Sequence, residues 1–224
     1  MKSIFNKTLG VLLISVMLIG ISACSKDKAD EGDEWLGDSY VSMKINGELW
    51  KSDMGMVATL SDTGDDDIDN YYIVTLIGIK GEGNGEDQSL FDEEVETISI
   101  GLLIPESKFN NPEGSYAAGG GEFENPVLES AIVFSRVNGE TVDNVETYYS
   151  VDHNSEEKAM GRVQISSSKI GNQAFLGEEG YTNISGTFEA ELYQYSGEGE
   201  TPKKLTITEG KFNLSPSPLG MGMN

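Results

Sequence analysis

Apolar and polar residues alternate along most of the chain after residue 40, and this period of two is typical of β-strands with one buried face. The alternation is clearest in residues 41–45, 97–105, 131–137, 163–166 and 184–192. Residues 71–79 are apolar on both faces, as expected for a central strand. The helical period of 3.6 is not convincing anywhere, and the best helix candidate is the short stretch 89–96. The pattern therefore predicts an all-β domain.

An Asn-Gly pair marks the first hairpin. Asn46 and Gly47 separate two short alternating runs, and both tolerate the positive φ that a type I′ turn requires. A two-residue turn places Met43 opposite Trp50, so we expect both side chains on the inner face. The pair Asn138-Gly139 predicts a second hairpin after residues 131–137.

The last strand, residues 205–214, contains a change of parity. Leu205 and Ile207 are odd-numbered, whereas Phe212 and Leu214 are even-numbered. One extra residue near Glu209-Gly210, as in a β-bulge, would keep all four side chains facing inward.

The number and length of the strands favour one fold class. Roughly nine or ten short strands separated by turn residues predict an antiparallel β-sandwich, with a lipocalin-like β-barrel as the alternative. The alternative is functionally important, because a barrel of that kind encloses a ligand cavity. We assign one β domain to residues 40–214 and a flexible tail to residues 215–224.

The chain begins with the pattern of an export signal. Lys2 and Lys7 precede an uncharged, mostly apolar run from Leu9 to Ile21. A basic start, a short apolar stretch and small residues are typical of a secretory signal peptide. The run is too short to span a bilayer, which needs roughly 20 apolar residues. We therefore predict that residues 1–23 are removed on export.

The end of this signal is more specific. Ile21, Ser22 and Ala23 precede Cys24, the only cysteine of the chain, and together they resemble the lipobox that lipoprotein signal peptidase recognises. Two or more acyl chains on Cys24 would give stable membrane anchoring. The alternative is an ordinary signal peptide with a coincidental cysteine. The sequence thus predicts an envelope lipoprotein on the outer membrane, facing the surface or the periplasm.

Residues 24–39 are acidic and poor in apolar side chains, which favours a solvated tether. A second interpretation is an address: in lipoproteins of Bacteroidota, acids just after the acylated cysteine resemble a signal for transfer to the cell surface. The acids that would supply it are Asp27, Asp30, Glu31, Asp33 and Glu34.

The charge excludes some partners. The formal net charge is −23, and the leader carries only basic residues, so the mature chain is still more acidic. Nucleic acid and anionic lipid both need a basic surface, so neither is expected to bind electrostatically. Strong mutual repulsion favours a soluble monomer.

Three stretches resemble an uncharacterised family of Bacteroidota lipoproteins. They are Lys44–Trp50, Asn111–Tyr116 and the closing pair Ile184–Phe188 with Leu205–Phe212. The resemblance implies a shared architecture and an exported, anchored protein. It implies no catalytic residues.

Catalytic chemistry has little support in the sequence. A serine or cysteine nucleophile needs a base held by a third group, and the one histidine, His153, lies in a polar, loop-like stretch. One histidine and one cysteine also exclude a zinc site built from these residues. A hydrolase with two carboxylates remains an alternative, although 38 acidic residues make chance pairs common.

A calcium site is a second candidate. Asp65, Asp67 and Asp69 have the 1, 3, 5 spacing of an EF-hand loop. Asn70 stands where that loop requires glycine, and Leu76 where it requires glutamate. An EF-hand is therefore rejected, and a looser calcium site competes with a solvated acidic loop.

Aromatic side chains give the remaining functional signal. Tyr71-Tyr72 and Tyr148-Tyr149 each place one ring on each face of a strand, and Tyr193 lies at the end of another. Exposed flat rings can stack on the apolar faces of sugars. The ligand-binding candidates are Tyr72, Tyr149 and Tyr193, and packing at the core rim is the alternative.

The sequence leaves three functional hypotheses. The first is a non-enzymatic, lipid-anchored domain that binds a glycan or a protein partner. The second is a structural subunit of an envelope or fimbria-like assembly, in which an exposed edge strand accepts another chain. The third is the carboxylate hydrolase.

Overall fold

A computed structural model describes residues 39–60, 71–81, 95–119, 130–137, 145–150, 159–173, 178–194 and 202–216. The described strands are β1 (Tyr40–Ile45), β2 (Glu48–Lys51), β3 (Met54–Leu60), β4 (Tyr71–Gly81), β5 (Val95–Pro105), β6 (Gly114–Gly119), β7 (Ser130–Val137), β8 (Val145–Tyr149), β9 (Ala159–Gln173), β10 (Glu178–Gln194) and β11 (Lys203–Leu214). A short 3-10 helix, Glu106–Lys108, follows β5.

All the described strands belong to one sheet, whose order is β2-β1-β11-β10-β9-β6-β7-β5-β4-β3. β8 pairs with both β7 and β10, so β6, β7, β8, β10 and β9 form a ring. The described pairings are antiparallel except for β6 with β7, which pair in parallel through Ala118 and Ser130. The predicted all-β class is confirmed, and the folded sheet is consistent with a β-sandwich.

The helix candidate at residues 89–96 is wrong in its last two residues. Val95 and Glu96 begin β5, where they pair with Gly81 and Lys80 of β4. Pairing on both sides of β5 supplies backbone hydrogen bonds that an isolated short helix would lack. Residues 89–94 lie outside the described part of the chain.

The sheet folds over so that β3 faces β1, β10 and β11, and β4 faces β1, across the core. Gly78 of β4 illustrates the contact, because a Cβ built there would lie 2.8 Å from the Cβ of Val41 in β1. The alternating residues Ile98, Ile100 and Leu102 are at most 1% exposed. The period of two therefore identified the inner face correctly.

The first hairpin matches its prediction. Asn46 has a φ of 50° and Gly47 a φ of 91°, which are the positive values that a type I′ turn requires. Met43 is paired with Trp50, and the two side chains are 1% and 4% exposed. The turn thus directs both into the core.

The predicted β-bulge is also present. Between Phe188 and Ala190 of β10, the partner residue in β11 moves from Gly210 to Ile207, so β11 contains one extra residue. Glu209 in this interval has a φ of 53°. Ile207 and Phe212 are consequently both buried despite their opposite parity.

Polar contacts cover the free edge of β3. The Gly55 carbonyl accepts a hydrogen bond from Ser39 Oγ at 2.8 Å, and Val57 N–H donates to the Ser215 carbonyl at 3.1 Å. Thr59 N–H donates to Gln173 Oε1 at 3.2 Å. Three alternate residues of the edge thus have partners from outside the strand, and this limits pairing with another chain.

Candidate functional site

Several sequence candidates lie outside the described residues. They are the lipobox Ile21, Ser22, Ala23 and Cys24, the calcium candidates Asp65, Asp67 and Asp69, and the loop histidine His153. The second Asn-Gly turn, at 138–139, lies outside as well, although β7 and β8 on either side of it pair as an antiparallel hairpin.

The structure places Tyr72 at the core rim. Its ring stacks on Phe109 with centroids 3.9 Å apart and an interplanar angle of 17°. Phe109 follows the 3-10 helix and is 6% exposed. One face of the Tyr72 ring is therefore occupied by the protein itself.

Phe109 also contacts a buried tyrosine on β10. The Tyr181 hydroxyl donates a hydrogen bond to the Phe109 carbonyl at 2.7 Å, and Tyr181 is fully buried. Burial raises the pKa of this phenol far above its ordinary value of 10.0. This contact ties the residue that follows the 3-10 helix to β10.

Tyr181→Phe is expected to lower the free energy of unfolding by about 1–3 kcal/mol at neutral pH, because the Phe109 carbonyl loses its donor. Above about pH 10 the difference from wild type should shrink. Tyr181 stays protonated in the folded state while the unfolded phenol ionises, so wild type loses stability as the pH rises, whereas the variant lacks this loss.

Urea unfolding at pH 7 and at about pH 10.5 measures this difference. The other tyrosines are common to both proteins and cancel in the comparison. A difference that does not change with pH would contradict the raised pKa of Tyr181.

The other two tyrosine candidates are brought together. Tyr149 of β8 and Tyr193 of β10 are direct cross-strand partners. Their chain neighbours Tyr148 and Leu192 are buried inward, at 6% and 0% exposure. Since successive side chains of a strand point to opposite faces, Tyr149 and Tyr193 share the outward face, where both are half-buried.

One of these rings is held by a neighbour on its own strand. The Tyr193 hydroxyl donates to Glu191 Oε2 at 3.0 Å, and Glu191 lies two residues back along the chain. The phenol of Tyr193 is thus fixed on the outward face of β10.

An ion pair borders the two rings. Lys204 of β11 is the cross-strand partner of Tyr193, and its ammonium group donates to Glu191 Oε1. The side chains of Lys204 and Glu191 are 44% and 43% exposed. The hydrogen bond to Glu191 raises the pKa of Lys204. We call Tyr149, Tyr193, Glu191 and Lys204 the tyrosine strip.

Burial acts on the phenol of Tyr149. Desolvation raises the pKa of Tyr149 above its ordinary value, and a side-chain hydrogen bond with Thr147 partly offsets this. This phenol is consequently neutral at physiological pH. The strip combines two aromatic rings, a carboxylate and an ammonium group.

A row of charges that was not predicted from the sequence crosses the inner side of the sheet. Lys80, Glu96, Arg136 and Glu146 are successive cross-strand partners on β4, β5, β7 and β8. Lys203 Nζ continues the row at 3.3 Å from Glu146 Oε1. Signs alternate along this row, which we call the charge ladder.

Glu96 is the most buried member of the charge ladder, with its side chain 9% exposed. It accepts hydrogen bonds from Trp50 Nε1 at 2.7 Å and from Arg136 Nε at 2.8 Å. The inward position of Glu96 has a signal in the sequence, because Glu96 and the inward-facing Ile98 are both even-numbered. With its oxygens bound by these donors, the carboxylate serves the structure of the sheet.

Among the described residues, no group of three or more His, Cys, Asp or Glu side chains could hold a metal ion.

In the described part of the chain, no helix is long and apolar enough to cross a membrane.

The chain matches no protein-family model, and comparisons with curated proteins and with solved structures find no match.

Proposed function

We propose that this chain is an exported lipoprotein of the Bacteroidota type, anchored to the outer membrane by acyl chains on Cys24. The support comes from the order of the N-terminal features: a basic start, a short apolar run and Ile21-Ser22-Ala23 directly before the only cysteine. Each buried CH₂ group of an acyl chain contributes about 0.8 kcal/mol to membrane binding, so two or more chains give stable anchoring.

Cys24→Ala is expected to keep the leader and to lose acylation, because the lipid is attached to the cysteine sulfur. Metabolic labelling with radioactive palmitate, intact mass and detergent phase partition would measure both effects. A variant with the mass of the processed chain that still partitions with detergent would contradict the proposal.

We further propose that the β domain is a non-enzymatic glycan-binding module. The observation that carries this proposal is the cross-strand pair Tyr149–Tyr193 on the outward face. Aromatic rings on an outward face can pack against the apolar C–H faces of a pyranose. Glu191 and Lys204 beside the rings can exchange hydrogen bonds with sugar hydroxyls.

Aromatic side chains give contact area at a low cost in conformational entropy. Here the cost is reduced further at Tyr193, because its hydrogen bond to Glu191 already fixes the phenol. A preorganised surface retains more of the contact energy as affinity. The fixed phenol of Tyr193 favours the tyrosine strip over Tyr72, whose ring is stacked on Phe109.

The test is binding of the acylated protein, purified in detergent, to a panel of immobilised polysaccharides. Tyr149→Ala and Tyr193→Ala should each weaken binding about tenfold, which corresponds to about 1.4 kcal/mol. Tyr71→Ala, which removes a half-buried tyrosine on β4, serves as the matched control. Equal binding by wild type and both strip variants would overturn the proposal.

The edges of the sheet give less support to a role as an assembly subunit. Ser39, Ser215 and Gln173 occupy hydrogen-bonding groups of β3, and the other edge strand, β2, is four residues long. Short and covered edges are devices that limit strand addition. Donor-strand pairing would need one of these edges to be freed.

Protease treatment of intact cells would determine on which side of the membrane the domain lies. If the domain faces outward, it is digested while a periplasmic control protein survives. Environmental glycans would then be the ligands to screen. Digestion only after cell lysis would direct the search to glycans of the envelope.

A further inference from the structure

We propose that the tyrosine strip binds internal stretches of an uncharged polysaccharide chain. This inference rests on the proposed glycan-binding function and adds the chemical class of the ligand. Two features carry it: the arrangement of the two rings, and the way in which the charges beside them are paired.

The arrangement of the rings favours a chain over a single sugar. Tyr149 of β8 and Tyr193 of β10 are direct cross-strand partners, and such partners have Cβ atoms about 4.5–5.5 Å apart. Two aromatic side chains in neighbouring positions on one face can contact two sugar units of one chain.

The position of the rings favours an internal stretch over a chain end. They lie on the outward face of paired strands, and the side chains of Lys204 and Glu191 beside Tyr193 are 44% and 43% exposed. A chain end is selected by a pocket that encloses it on several sides. The outward face of paired strands is not such a pocket, so it favours an internal stretch of the polymer.

The charges disfavour an acidic polysaccharide. Lys204 is the cation of the strip, and its ammonium group is already bound to Glu191. An anionic sugar would have to replace this carboxylate, and it would approach a chain with a net charge of −23. Repulsion by the field of the whole protein acts on the approach of any polyanion.

The same pairing disfavours a basic polysaccharide as the specific ligand. Glu191 is held by Lys204 on one oxygen and by the Tyr193 hydroxyl on the other. A cationic sugar would find no unoccupied carboxylate oxygen at the centre of the strip. Hydroxyl groups, in contrast, can join these existing hydrogen bonds without displacing a charge.

The experiment compares three soluble probes of matched chain length: a neutral glucan, chitosan and a polyuronate. Isothermal titration of the acylated protein in micelles should show binding of the neutral glucan, with an affinity that changes less than twofold between low and high salt. Charge-driven binding falls steeply with salt. Affinity should rise from the single sugar to a short oligomer and then level off.

Variants separate the inference from the proposed function. Tyr149→Ala should weaken binding of the neutral oligomer about tenfold and remove most of the gain with chain length. Tyr193→Phe keeps the ring and loses the bond to Glu191, so its affinity should stay within about threefold of wild type. Thermal unfolding of each variant verifies that it is folded.

Two outcomes overturn the inference. In the first, chitosan or the polyuronate binds more tightly than the neutral glucan, and its affinity falls in high salt and in the tyrosine variants. The ligand class is then wrong, while the glycan-binding function stands. If no probe distinguishes wild type from Tyr149→Ala and Tyr193→Ala, the proposed function fails together with the inference.

Discussion

Glu96→Ala is expected to lower the free energy of unfolding by about 2–4 kcal/mol. Trp50 Nε1–H lies 2.7 Å from the Glu96 carboxylate, and Trp50 is 4% exposed. Removing the carboxylate leaves this donor unpaired inside the protein, which costs about 1–3 kcal/mol. The truncated side chain adds a cavity next to the Trp50 ring.

The ion pair of Glu96 with Arg136 contributes less than a fully buried pair would. The Arg136 side chain is 37% exposed, and that of Lys80 is 45% exposed. Both can turn to solvent when Glu96 is lost, so the 3–5 kcal/mol measured for breaking fully buried pairs is an upper bound. This is why the expected loss is centred near 3 kcal/mol.

A double-mutant cycle isolates the contact with the indole. Trp50→Phe removes the donor, and the combined variant should be more stable than the sum of the single losses predicts, with a coupling of about 1–2 kcal/mol. Glu189→Ala is the control, because Glu189 and its partner Arg162 are each 61% exposed. Its effect should stay within about 0.5 kcal/mol.

Chemical denaturation at neutral pH provides these values. If Glu96→Ala and Glu189→Ala lowered the free energy of unfolding by equally small amounts, the charge ladder would have no role in stability. Additive losses in the cycle would show that the indole and the carboxylate act independently.

Gly186→Ala is expected to lower the free energy of unfolding by about 3 kcal/mol or more, which is the upper end of the loss caused by overpacking a core. A Cβ at residue 186 would lie 2.0 Å from the Gln164 carbonyl oxygen and 2.6 Å from the Phe212 ring. The oxygen belongs to the backbone of β9, which is fixed by pairing with β10 on one side and with β6 on the other. The strands must therefore separate to accommodate one methyl group.

Gly81→Ala is the matched control for this effect. Gly81 also lies in a strand, and a Cβ there would have an ordinary contact of 3.7 Å with Val95 Cγ2. Its substitution should change stability by less than about 0.5 kcal/mol. Comparable losses at both positions, measured by the same denaturation experiment, would contradict the close approach of β9 and β10 at Gly186.

The sequence by itself determined the local features of the β domain. A strand alternates its side chains with a fixed period of two, so the parity of Ile98, Ile100 and Leu102 was sufficient to identify the inner face. The change of parity between Ile207 and Phe212 located the bulge for the same reason. The turn at Asn46-Gly47 could be predicted because positive φ depends on the residue and its immediate neighbours.

Only the tertiary structure decided which residues meet across strands. Tyr149 and Tyr193 belong to β8 and β10, which are separated in the chain by β9, and their pairing depends on the ring of strands. Tyr72 was an equal candidate in the sequence, but Phe109 at the end of the 3-10 helix stacks on its ring. Glu96 was assigned to a helix candidate, whereas long-range pairing places it between Lys80 and Arg136. Periodicity describes which face a residue occupies, but the partner on that face depends on contacts between distant parts of the chain.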